Sequence, residues 1–130
     1  MLSQIIFHAN NIPHYVQYLA SAAWEEARGN NNQLSHQVLS LAIDKLILNQ
    51  DDYFSFQYQN LTAHQQQLLR ALVNVNMGIF SSSFITTYRL VSPSSVQRSL
   101  ERLQNEGIIE KNEERWVFTD PFFKLWVQRL

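Results

Sequence analysis

Apolar residues recur at helical spacing from Asn11 to Gly29: Ile12, Tyr15, Val16, Leu19, Ala22 and Ala23 stand at offsets 0, 3, 4, 7, 10 and 11 of one face. The pattern predicts a helix with Pro13 in its first turn, Arg28 in its last, and Gly29 followed by Asn30-Asn31-Asn32 as the stop. A second helix is predicted from about Leu34 to Leu48, with Val38, Leu41 and Ala42 on one side and Leu39, Ile43, Leu46 and Ile47 on the other. Two apolar sides imply burial between neighbours. Asp51-Asp52 can open a short third helix through Tyr53, Phe54, Phe56 and Tyr58, although the alternation equally permits an extended segment.

From Leu61 the pattern is more regular. Thr62-x-x-Gln65 reads as a capping box, and Leu68, Leu69, Leu72 and Val73 predict a helix that ends before Gly78. Ser81-Ser82-Ser83 offers an N-cap to a short helix with Phe84, Ile85 and Tyr88. After a turn at Leu90-Val91, Ser92-Pro93 opens a helix whose core face is Val96, Leu100 and Leu103 and whose stop is Gly107. Three helices of this spacing resemble a helix-turn-helix. Ile108 to Lys111 and Arg115 to Phe118 then read as two short strands around a polar turn, the wing of a winged helix. Asp120-Pro121 starts a last helix through Phe122, Phe123, Leu125, Trp126 and Val127. Five large aromatics between Trp116 and Trp126 exceed what one short helix can bury alone. Most of that cluster is expected in a core, with further cover from the N-terminal region or from another part of a longer protein.

Length and composition narrow the classes. The 130 residues fit one compact unit or two small helical subdomains, not a multidomain enzyme. With 45% hydrophobic and only 16% charged residues, the chain can build a core and leave apolar surface for a partner. A net charge of −1 provides no global basic field for nucleic acid or an anionic membrane, so any anion binding must be local. Without cysteine there is no disulfide frame, thiolate nucleophile or cysteine zinc site. No apolar run approaches the roughly 18 residues of a membrane span, and Met1-Leu2-Ser3-Gln4 lacks a basic signal region. A cytoplasmic protein with no membrane partner is expected.

Catalytic chemistry finds little support. The three glycines, Gly29, Gly78 and Gly107, all sit at expected helix ends, which leaves none for a phosphate cradle. His8, His14, His36 and His64 show no metal-ligand spacing and read as surface or half-buried residues. The serines lie at caps and turns, and the pairs Glu25-Glu26, Asp51-Asp52 and Glu113-Glu114 look solvated. The chain by itself is expected to be no enzyme. The best functional candidate is the polar face of the helix from Ser92 to Glu106, where Ser95, Arg98, Ser99 and Arg102 stand at offsets 0, 3, 4 and 7 and suit phosphates and guanine edges. Lys111 and Arg115 of the wing add to this candidate nucleic-acid or partner-binding set. Yet Arg98, Arg102, Lys111 and Arg115 face Glu101, Glu106, Glu110, Glu113 and Glu114, four cations against five anions, or −1. DNA is thus possible but weak, and a solvated helix or a protein-facing surface is favoured.

Four stretches carry a family resemblance: Ile12 to Ala20, Leu61 to Leu72, Tyr88 to Leu100 and Asp120-Pro121-Phe122-Phe123-Lys124-Leu125-Trp126. Together they resemble the C-terminal half of prokaryotic AAA-like P-loop ATPases of the STAND-related, archaeal-type group. In that family a nucleotide-binding core precedes a helical lid with a Gly-x-Pro or His-Pro-x-Tyr-type signature, and a winged helix follows, ending in D-P-F-[FL]-[KR]-x-W. The resemblance implies a mainly α fold, with a helical lid over residues 1–60 packed on a winged helix-turn-helix over 61–130 that bears a short two-stranded wing. It further implies a regulatory, partner-binding and non-catalytic role, and an upstream nucleotide-binding domain of the same protein holding ATP and Mg²⁺, with no cofactor in this segment. Met1 would then lie near a fragmentary start. The lid proline that approaches adenine maps onto Pro13, while Asn11 stands where the family has glycine. The rival reading is a free-standing winged-helix regulator that binds duplex DNA.

Overall fold

The structure, a computed structural model, describes residues 2–130. It divides into two compact units, one reaching to Tyr53 and one running from Phe54 to Leu130. Eight helices and one two-stranded antiparallel sheet are present among the described residues.

The first unit holds α1 (Leu2–His8), α2 (Pro13–Arg28) and α3 (His36–Asn49). Leu19, Ala23 and Ala27 form the buried stripe of α2, and its two alanines allow close approach to α3. On α3 the buried residues are Val38, Leu39, Ala42, Ile43, Leu46 and Ile47. Leu41, expected on a covered side, is instead exposed, as is Leu48, so the buried face of α3 is one broad stripe. Lys45 Nζ reaches Glu26 Oε2 at 2.6 Å and ties α3 to α2. The stop of α2 is not made by Gly29, whose φ of −78° is ordinary helical backbone. Asn31 and Asn32 take the left-handed turn, at φ 58° and 59°, and the Asn32 N–H closes it on the Ala27 carbonyl at 2.8 Å. Ser35 caps α3 by accepting from the Val38 N–H, which starts the helix two residues after Leu34. The helix α1 was not foreseen; it is short, and Ile5 is its one buried residue.

The second unit begins in α4 (Asp51–Gln59), which is helical and not extended: Phe54 and Tyr58, one turn apart, are buried, while Tyr53 and Phe56 face solvent. Phe54 packs on Phe123 and Trp126 at centroid distances of 5.3 and 6.2 Å, and Tyr58 meets Trp126 edge-on at 5.6 Å. The aromatic C-terminus therefore finds its cover within this unit, and a division at residue 60 would part these rings. The second unit starts at Phe54, inside α4.

In α5 (Ala63–Asn74) the capping box forms as expected, with the Gln65 N–H donating to Thr62 Oγ1 and the Thr62 N–H to Gln65 Oε1. In α6 (Ser82–Tyr88) Ser81 caps the first turn, and Arg89 at φ 56° ends the helix in the conformation usually left to glycine. Ser92 caps α7 (Pro93–Asn105), and Val96, Leu100 and Leu103 are buried as predicted. Gly107, at φ 74°, lets the Ile108 N–H turn back to the Leu103 carbonyl at 3.0 Å. The strands β1 (Ile109–Asn112) and β2 (Arg115–Phe118) pair with Ile109 opposite Phe118 and Lys111 opposite Trp116, around a turn at Glu113-Glu114. The Trp116 N–H also bonds the Asn76 carbonyl at 3.1 Å, which holds the α5–α6 connection to the free edge of β2. Asp120 caps α8 (Pro121–Gln128), its Oδ1 accepting from the N–H groups of Phe122 and Phe123. No helix among the described residues is long and apolar enough to cross a membrane.

Candidate functional site

The candidate face is presented by α7, and its orientation is fixed from α5. Four consecutive polar residues of α5, His64 to Gln67, close backbone groups of the unit. Gln65 completes the capping box, Gln66 Nε2 donates to the Tyr58 carbonyl at 2.9 Å, and Gln67 Nε2 donates to the Tyr88 carbonyl at 3.2 Å. His64 spans two segments: Nε2 lies 2.8 Å from the Leu90 carbonyl and Nδ1 2.5 Å from Ser99 Oγ. A carbonyl only accepts, so Nε2 carries the hydrogen and donates to Leu90, while Nδ1 and the Ser99 hydroxyl share the second hydrogen bond. One imidazole thus joins α5, the α6–α7 turn and the middle of α7. A hydroxyl beside an imidazole is also the beginning of a nucleophile–base pair. Here, however, Ser99 is only 6% exposed and protein atoms engage both ring nitrogens.

The six residues expected to make contacts do not form one patch. Ser99 faces inward, not with Arg98 and Arg102, because it shares a helical face with Val96 and Leu103 and finds its partner in His64. Ser95 is half-buried with its hydroxyl 3.0 Å from Ser92 Oγ, within the N-cap. Arg102 pairs with Glu106 one turn on, at 2.9 Å, in an exposed ion pair of little energetic weight. Arg98 is exposed, with no ion pair among the described residues. Lys111 lies over the Trp116 ring with Nζ 5.9 Å from its centroid. Arg115, one residue from Lys111's cross-strand partner Trp116, points to the opposite face of the hairpin. Pro13 is exposed at the first turn of α2. Asn11, where the resembled family has glycine, stands at φ 57°, a left-handed conformation that glycine and asparagine adopt most cheaply.

His64 and Arg89 were not foreseen at the site, and Val91 was placed in its turn but not in its backbone conformation. His64 carries no spacing signal among its polar neighbours. Arg89 and Val91 shape the turn by left-handed backbone at positions without glycine. Among the described residues no group of three His, Cys, Asp or Glu side chains is arranged to hold a metal ion.

No curated protein and no solved structure matches the chain. The sequence profile of a family described as "probable winged helix domain" matches residues 51–129, an interval that opens with the first residue of α4 and closes just past α8. Capped α5, α6 and α7, the two-stranded hairpin and α8 supply the helices and wing of that fold, and over this interval the chain belongs to the probable winged helix domain family.

Proposed function

We propose that the winged helix serves as a non-catalytic docking module for a protein partner, with duplex DNA at most a weak ligand. The observation that carries this reading is the disposition of the cations. Arg102 is paired, Lys111 lies on Trp116, and Arg115 turns away from Lys111, while Glu110, Glu113 and Glu114 occupy the exposed wing. Each phosphate contact contributes about −0.9 to the slope of log affinity against log salt, so even four cations acting together would reach only roughly −3 to −4. Non-specific duplex affinity is expected to be no tighter than about 10 micromolar at physiological salt. Fluorescence anisotropy at low and physiological salt checks it. The second reading, a DNA-binding regulator, is favoured by the exposed Arg98 midway along α7. A nanomolar, sequence-selective complex abolished by Arg98→Ala would establish it.

The family resemblance extends the first reading: the module would follow the nucleotide-binding core of a P-loop ATPase and couple its nucleotide state to the winged helix. Residues 1–27 contain no lysine or arginine, so the first unit supplies no counter-charge to a triphosphate before Arg28, and Pro13 would contribute apolar contact alone. ATP and Mg²⁺ would be held upstream. This chain by itself is therefore expected to bind ATP no better than millimolar and not to hydrolyse it, as checked by titration calorimetry and phosphate release. A low-micromolar dissociation constant would overturn that assignment.

A further inference from the structure

Charge is divided unevenly along the second unit. Between Asp52 and Glu101 the chain has no carboxylate side chain, whereas Glu101, Glu106, Glu110, Glu113, Glu114 and Asp120 all follow. The acid-free stretch carries Arg70, Arg89 and Arg98. Arg70 is occupied in its own helix pair, its Nε 2.7 Å from Tyr58 Oη. Arg89 and Arg98 are both exposed, one at the end of α6 and the other in the second turn of α7. Ser94, also exposed, lies one helical turn before Arg98, so this stripe of α7 runs back to the turn that contains Arg89.

Val91 sits in that turn. It is the most exposed large apolar residue among those described, at 80%, and its φ is +75°. The Ser92 N–H bonds the Leu90 carbonyl at 2.9 Å, which closes a three-residue turn around Val91. A β-branched residue is strained in such backbone, and an isopropyl group left in water gains nothing from folding to offset the strain. The surroundings over-determine the turn: the Leu90 carbonyl receives His64 Nε2–H as well, and the Leu90 side chain is fully buried. The turn thus holds an apolar tip in place two residues after Arg89 and seven before Arg98, neither of which has an ion pair among the described residues.

We propose that Arg89, Val91 and Arg98 form the docking site for an acidic segment of a protein partner, with an apolar side chain of that segment packed on Val91. This deepens the docking-module reading and rests on it. Charge complementarity selects an acidic occupant, and the wing selects a peptide over a duplex. A duplex lying along α7 would bring a continuous row of phosphates, about one per 1.7 Å of axis, toward Glu101, Glu110, Glu113 and Glu114. A short acidic segment that ends at Arg98 stays on the N-terminal side of Glu101 and away from the wing.

The test begins with selection of short random peptides displayed on phage against the full 130-residue chain. Anisotropy of the enriched peptides, and of a short duplex, is then measured on the parent, on Arg89→Glu/Arg98→Glu and on Val91→Gly, each checked for folding by circular dichroism. Enriched peptides are expected to carry excess Asp and Glu beside an aliphatic or aromatic residue. Charge reversal is expected to weaken them by about tenfold or more, and Val91→Gly by a few-fold, although the relaxed turn folds at least as stably. Peptides without acidic excess, or insensitive to both variants, would overturn this site and leave the docking module standing. A duplex bound more tightly than any peptide, and lost on charge reversal, would overturn both. Enrichment of no peptide would also overturn both.

Discussion

His64 holds three segments in register with two hydrogen bonds, and its loss is the sharpest single-residue test of the second unit. Truncation to alanine removes the side-chain donor to the Leu90 carbonyl and strands the Ser99 hydroxyl, which is buried. Leaving a buried polar group unsatisfied costs about 1–3 kcal/mol. His64→Ala is therefore expected to lower the unfolding free energy by that amount, read from a lower urea midpoint at an unchanged m-value, and Ser99→Ala in the same background to recover part of it, since the two act as one pair. Full additivity of the two substitutions would contradict the pairing. The inward position of Ser99 was legible in principle: it stands three residues after Val96 and four before Leu103, the spacing of the core face. Its polarity argued for the opposite side. Periodicity says which residues share a face, but a serine enters the core only when a distant group accepts or donates, and His64 lies 35 residues away.

Element ends follow local chemistry, and that is where sequence reading performs best. Thr62, Ser81, Ser92 and Asp120 all cap the helices they were expected to start, because an N-cap bond spans only two or three residues. Asp120 is the cap with most at stake. Its carboxylate accepts two backbone N–H groups of α8, the helix that carries Phe122, Phe123 and Trp126 into the core. Asp120→Ala is expected to cost about 1 kcal/mol and Asp120→Asn much less, read from the thermal or urea midpoint. Most turns were placed by the sequence, but their backbone was not. Asn31, Asn32, Arg89, Val91 and Glu113 adopt left-handed backbone where no glycine announces it, and such turns are set by the elements they join. The helix α1 stayed hidden because seven residues give too few periods to detect.

At the scale of the whole molecule, the aromatic cluster decides where the winged helix begins. Phe54 and Tyr58 cover Phe123 and Trp126, so a fragment starting at residue 51 retains the cluster and one starting at residue 61 exposes it. The 51–130 fragment is expected to show near-ultraviolet dichroism from packed aromatics and no binding of a hydrophobic dye. The 61–130 fragment should bind the dye and melt earlier and less cooperatively. Equal behaviour of the two fragments would refute the role assigned to α4. The sequence by itself determined α2, α3 and the helices from α5 to α8, the caps of the latter four, the wing and the mainly α class, since each rests on contacts within a few residues. Tertiary structure alone decided that α4 completes the aromatic core and that Ser99 turns inward to His64. Those outcomes depend on which distant groups meet, and spacing along one helix or strand carries no record of what lies opposite.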